Sequence, residues 1–397
     1  MAIGREANIK RTWTLILVVC SPLWSAQEAL WEQRLADGNQ LQRQGRYAEA
    51  EEAYWTALQA VEDAVPLRAR VVARLRSLAL AYRQSGLHTE SEALYRRLLA
   101  LWDEKRWPAD QDQASLLIGL ADLYGSLARY SDALPPSRRA LSIWQSVVGQ
   151  EDVEVALTMA NVAGLLYRLH RYSEAENLYG RVLVIQEGAL GSEHPDVATT
   201  RNNLGAVYQA IARYGAAEEF YRQALLVREK ALGPQHPLVG RTLNNLANLL
   251  AEQDRDTDAE RLYRRAITIG EETPDERLLA TTLSNWAQLR WDRKKYKEAE
   301  ALSLRALAAW EKAVGPEHPN LATCLINHAA ILRKLKRRKE ATQLEARAKA
   351  ITAHHGPTPE ALTMDVSLLR LSRRRSRQDY ARPPGPGPDP LPHHLLP

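Results

Sequence analysis

Cysteine is nearly absent, with two in 397 residues, so no disulfide framework holds this chain together. Phenylalanine occurs once, at Phe220, and methionine three times; the core must be built from aliphatic residues, ten tryptophans and fifteen tyrosines. The chain also lacks a Gly-Lys dipeptide, and with it a glycine-rich phosphate loop. His-Glu-x-x-His, Gly-x-Ser-x-Gly and Cys-x-x-Cys are missing as well, and the sole Gly-x-Gly is Gly385-Pro-Gly387. Neither a nucleotide site nor a metal site nor a nucleophilic triad is nominated, so no cofactor and no enzymatic activity are expected. What the chain does have is 45% hydrophobic residues, which excludes global disorder.

Net charge is small too. Fifty-three Lys+Arg stand against 48 Asp+Glu; residues 1–26 contribute +2 and residues 354–397 another +2, leaving +1 on the 327 residues between them. The apparent pI of 9.1 therefore reflects the ends and not the body, and no nucleic-acid partner is expected.

Both ends differ from the middle. Arg5, Lys10 and Arg11 precede an apolar run over residues 13–20 and then Ser21-Pro22-Leu23-Trp24-Ser25-Ala26, the order of a secretory signal. The run is too short to cross a bilayer, which takes ~20 apolar residues. Residues 1–26 are thus expected to direct export, periplasmic or secreted, with cleavage after Ser25 or Ala26. Alternatively Leu17-Val18-Val19-Cys20 resembles a bacterial lipoprotein box, although Val19 stands where that box places a small residue; lipidation at Cys20 would anchor the protein to a membrane. At the other end, residues 354–397 hold Arg370, Arg373, Arg374, Arg375 and Arg377, and proline fills seven of the last fifteen positions. That composition predicts a disordered, solvated basic tail, with anionic lipid or nucleic acid as the alternative contact of its arginines.

Between the ends, over residues 28–353, one pattern returns eight times. The small residue of Tyr-x-Glu/Asp-Ala falls at Ala50, Ser91, Ala133, Ala175, Ala217, Ala259, Ala299 and Ala341, at spacings of 40 to 42. Twelve residues before this anchor every unit has Gly or Ala, as at Gly38, Ala163 and Gly205, where one helix presses on another. Three before it an aromatic such as Tyr47, Tyr172 or Tyr296 plugs a turn. Four and seven after it, Tyr54 and Ala57 or Tyr221 and Ala224 share one face of a second helix. Linkers such as Gly191-Ser-Glu-His-Pro195 and Gly315-Pro-Glu-His-Pro319 supply glycine past one helix and proline opening the next. Each unit reads as helix, turn, helix, linker. In the last unit His328, Glu345 and Lys349 occupy otherwise apolar columns, as does Asp37 in the first. They are expected to solubilise the two exposed ends of the stack.

Stretches such as His194-Pro-Asp-Val-Ala198, Asn202-Asn-Leu-Gly205 and Ala217-Glu-Glu-Phe-Tyr-Arg-Gln-Ala-Leu225 resemble tetratricopeptide repeats, in the 42-residue form of kinesin light chains. The resemblance implies an all-α solenoid, a right-handed superhelix of about eight repeats, that binds protein or peptide segments along a concave groove. It leaves two functions open: a non-enzymatic scaffold or adaptor, or a regulatory sensor subunit whose groove holds a small ligand or signalling peptide.

One column points at that groove. Fourteen residues before the anchor stand Asn161, Asn203, Asn245, Asn285 and Asn327, in five successive units. Asparagine is a mediocre helix former, but its amide matches the donors and acceptor of a peptide group. The resemblance implies that this column grips a bound chain; bonding between helices inside the array is the alternative. Arg168, Arg241, Asn248, Gln288 and Trp291 extend the same face. Some related arrays clamp a terminal carboxylate with added basic residues, and Asn203 and Arg241 fit part of that pattern. Ala160, Gly164 and Asn245 break it, so recognition of a free C-terminus is not expected. His194, His236 and His318 recur once per repeat. With neighbouring helices ~8 to 10 Å apart, they cannot meet on one ion ~2 Å from each nitrogen; their expected role is to order the linker before Pro195, Pro237 and Pro319.

Overall fold

The computed structural model describes residues 30–355, and every regular element among them is a helix. The expected leader and nearly all of the expected tail lie outside these residues. The helices pair into hairpins: α1 (30–43) with α2 (Tyr47–Val61), α3 (Val65–Gln84) with α4 (His88–Glu104), α5 (Gln111–Ser126) with α6 (Tyr130–Val148), and α7 (Val153–Arg168) with α8 (Tyr172–Leu190). Then follow α9 (Pro195–Ala210) with α10 (Tyr214–Leu232), α11 (Pro237–Glu252) with α12 (Asp256–Glu272), α13 (Glu276–Asp292) with α14 (Tyr296–Val314), and α15 (Pro319–Lys334) with α16 (Arg338–His355). The chain divides into two compact units, one ending at Val227 and the other beginning at Arg228.

The turn inside each hairpin is closed by the backbone. In repeat five the Ala212 N–H donates to Gln209 O (3.0 Å) and the Arg213 N–H to Tyr208 O (2.9 Å), the paired bonds of a Schellman motif. Repeat three repeats them with Ala128 N to Gly125 O and Arg129 N to Tyr124 O. The motif places its penultimate residue in the left-handed region. Gly45 and Gly86 serve there in the first two repeats, but Ala128, His170, Ala212, Asp254, Lys294 and Lys336 in the others, at φ of 55° to 68°.

Linkers are stopped by side chains. Asp110 Oδ1 accepts from the Asp112 and Gln113 N–H groups, and Asp152 Oδ1 accepts from Glu154 N–H. In repeats five and six the cap is an imidazole: His194 Nδ1 accepts from Asp196 N–H and His236 Nδ1 from Leu238 N–H, each at 3.1 Å, with proline beginning the helix behind them. These two histidines order their linkers, as their place before proline suggested.

Packing follows the columns. All eight anchors are fully buried, and so are the residues seven beyond them. The small column sits under the tyrosine of its own repeat: a Cβ added at Gly38 would lie 2.5 Å from the Tyr54 ring, and one at Gly205 2.7 Å from Tyr221. In the first unit α4 packs on α5, α6 on α7 and α8 on α9, around a core that includes Leu75, Leu98, Trp102, Leu116 and Met159. In the second, α12 packs on α13 and α14 on α15. Arg68 is 4% exposed and lies between Trp102 and Trp107, its carbon 5.4 and 4.3 Å from the two ring centroids. Salt bridges reach between repeats along the turns, from Arg129 to Glu92, Arg213 to Glu176 and Arg337 to Glu300.

One expectation about the end repeats is overturned. Glu345 and Lys349 are at least partly exposed, but His328 is 3% exposed, with its Nδ1 3.1 Å from Ser303 Oγ. It does not solubilise an end of the stack. Burial lowers its pKa below the ordinary imidazole value, with Glu300 pulling the other way. It fills space left by Ser303, which replaces the tyrosine found four past the anchor in most repeats.

Candidate peptide-binding face

The asparagine column is best understood from the tyrosines it adjoins. A tyrosine four past the anchor is buried in five repeats, and each buried hydroxyl needs a partner. Tyr54 lies 2.9 Å from Asn39 Oδ1 and 3.0 Å from Gln42 Oε1, Tyr221 donates to Gln209 Oε1 (3.0 Å), and Tyr263 donates to Asn248 Oδ1. In these cases the amide comes from the first helix of the same repeat. Repeat four has Gly164 at the corresponding place, where an added Cβ would stand only 3.4 Å from the Tyr179 hydroxyl. Here an amide approaches from the next repeat: burial pushes the Tyr179 phenol up to about 12, while Arg168 and, more weakly, Asn203 on α9 draw it back. Asn203 is half-buried at the junction of the two repeats. Elsewhere in the first unit, Asn161 on α7 is exposed, and so is Arg168, whose guanidinium carbon is 6.0 Å from the Tyr130 ring centre.

In the second unit Asn285 on α13 donates from Nδ2 to Asn244 Oδ1 on α11 at 3.0 Å, and Asn244 in turn approaches Asn245. This is a bond between repeats. Asn245 is half-buried, Asn248 is engaged by Tyr263, and Arg241 is exposed with its Nη2 3.6 Å from Asp275 Oδ2. Three of the nominated residues meet in one pocket. Gln288 and Trp291 of α13 and Asn327 of α15 line it together with Ser284, Ser303, Cys324, Ala330 and Ile331. Trp291 rests edge-on against Tyr296 at 5.3 Å, and Gln288 donates to Asp292 one turn away at 3.1 Å. Burial raises the Cys324 thiol to about 11, against a weaker pull from Ser284. At neutral pH it is therefore a thiol, a lining group and not a nucleophile. Among the described residues no three His, Cys, Asp or Glu side chains gather to hold a metal ion, and no helix is long and apolar enough to cross a membrane.

Ser303, one of the residues lining the pocket, interrupts the tyrosine column, and that interruption is visible in the sequence. The arrangement offers half-buried amides, one aromatic wall and a small recess, which suit contact with a polypeptide.

These observations define a helical-repeat interaction array. Tetratricopeptide repeat sequences match over residues 70–146, 154–230, 212–272 and 278–353, most of the described chain, and the protein belongs to that family. The fold is shared with the apo form of the quorum sensor NprR from B. thuringiensis, at 14% identity and TM-score 0.54 over 87% of this chain and 96% of that one. It is also similar to the Rap conjugation gene regulator of plasmid pLS20 in complex with the Phr* peptide, at 13% identity and TM-score 0.50 over 84% and 98%. A putative kinesin light chain of Podosopora anserina with nearly identical repeats aligns at 21% identity and TM-score 0.47 over 52% and 97%. No curated protein matches the chain.

Proposed function

We propose that the protein is a non-enzymatic scaffold or adaptor that binds peptide segments of other proteins on the face formed by the first helices of its repeats. The observation that carries this reading is the pocket between α13 and α15, where Gln288, Trp291 and Asn327 meet. A bound segment would seat a small side chain there and hydrogen-bond its backbone to the two amides. Asn161, exposed on α7, offers the same kind of contact in the first unit. Fold kinship with a regulator solved with a peptide supports the reading, and kinship with a quorum sensor supports a second, in which the ligand is a signalling peptide. Export through residues 1–26, with or without lipid on Cys20, belongs to the same proposal.

Pull-down from the native host distinguishes the two readings. A stoichiometric protein partner supports the adaptor; a short peptide co-purifying with the isolated protein supports the sensor. Once the partner is known, replacing Gln288 and Asn327 together by Ala removes two hydrogen bonds of ~0.5 to 1.5 kcal/mol each and weakens binding by roughly 5- to 150-fold. Unchanged affinity in a folded double variant rejects the pocket as the contact.

A further inference from the structure

The turns of the last two repeats differ from all the others. Residues 292–297 carry a net charge of +3 and residues 334–339 one of +5, whereas the equivalent six residues of the earlier repeats range from −2 to +2. Both turns belong to the second unit, and they lie side by side. Lys334 Nζ sits 6.0 Å from the Trp291 ring centre, and Arg337 pairs with Glu300 in the first turn and a half of α14. Some of the charge is neutralised, since Arg293 holds Asp254 and Asp256, Lys295 is near Glu298, and Arg337 also pairs with Glu340. Lys294, Lys297, Lys336, Arg338 and Lys339 are exposed and form no ion pair among the described residues. Lys294 and Lys336 occupy the left-handed position at the tip of each turn, at φ of 60° and 68°.

We infer that this edge of the second unit docks on an anionic phospholipid surface. The charges crown two adjacent turns, a placement that meets a flat surface better than an extended strand. Lysine predominates, and lysine meets headgroups as a hydrated point charge without the paired geometry that arginine brings to nucleic-acid recognition. Trp291 and Tyr296, half-buried at the same edge, are residue types that settle at a membrane–water boundary. The chain leaves α16 at His355 and reaches a second basic cluster at Arg370 to Arg377, so a second electrostatic contact follows in sequence.

The experiment is co-sedimentation of the full chain with vesicles of phosphatidylcholine alone or mixed equally with phosphatidylglycerol. The expected result is binding to the mixed vesicles only, lost at high salt. The variant Lys294→Gln, Lys297→Gln, Lys336→Gln, Lys339→Gln should bind roughly 600-fold more weakly, at about fivefold per lysine near an anionic surface. Its far-UV circular dichroism should be unchanged. Changing the same four residues to Arg keeps the charge and should keep the binding. No preference for anionic vesicles overturns the inference. So does binding that survives the Gln variant and disappears only when the five tail arginines are replaced by Gln. Tighter binding to poly-glutamate or to an oligonucleotide, lost in the same Gln variant, would assign the edge to that class of partner and overturn the lipid reading as well.

Discussion

Alanine in the left-handed region makes a prediction that runs against intuition: removing a side chain should make the protein more stable. Ala128 and Ala212 stand at φ of 55° and 60°, each held there by its Schellman turn. An L-residue with a Cβ pays roughly 1 to 2 kcal/mol for that conformation, and glycine pays almost none of it. Against this, glycine loses more backbone freedom on folding, by about 0.5 to 1 kcal/mol relative to Ala. Ala128→Gly and Ala212→Gly should therefore each stabilise by ~0.5 to 1 kcal/mol, and the double variant by close to the sum, because the two turns are separated by a whole repeat. Urea unfolding followed by circular dichroism reads the change as a higher midpoint at unchanged slope. Ala247→Gly, inside α11 and fully buried, is the control and should destabilise. A lower midpoint in either turn variant would mean that the turn tolerates Cβ without strain, and the reasoning would fail.

Three other outcomes follow from particular residues. Asn285→Ala removes the bond to Asn244 and should cost about 1 kcal/mol or more in urea, whereas Asn161→Ala, on an exposed helix position, should leave the midpoint unchanged. His328 has a depressed pKa in the fold, so the unfolded chain takes up its proton first. Stability should be full above about 6.5 and fall as pH drops below it, and His328→Leu should flatten that slope in a pH series of urea midpoints. Intact mass of protein from the native host should show a start at Ala26 or Gln27; an uncut Met1 rejects export, and acyl chains on Cys20 select the lipoprotein alternative.

The repeat period, the anchors and the packing columns were all legible in the sequence, because each recurs in register and each has one physical job. Burial at the anchor and seven beyond it follows directly from helical spacing. Less legible was the work of the amides. Reading Asn203 and Asn285 as ligand contacts or as internal ties requires knowing which hydroxyl or amide stands opposite, and those partners lie 24 and 41 residues away in Tyr179 and Asn244. Gly164 reads as a break in a clamp pattern, yet in the fold it lies against the Tyr179 hydroxyl and has no side chain to pair with it. His328 departs from its column for a related reason. A polar residue in an apolar column of a terminal repeat suggests exposure, and only the shortened neighbour Ser303 shows that the ring has a buried place to go.

The origin of the amide that answers each tyrosine also governs how unfolding spreads. Tyr54, Tyr221 and Tyr263 are satisfied from within their own repeat and add to that repeat's intrinsic stability. Asn244 with Asn285 instead adds to the nearest-neighbour term of a one-dimensional array. A boundary between folded and frayed repeats is therefore more costly to place between repeats six and seven than at a junction without such a tie. Amide hydrogen exchange along α13 would register this as protection shared with the preceding repeat, so that the tied pair opens as one cooperative block.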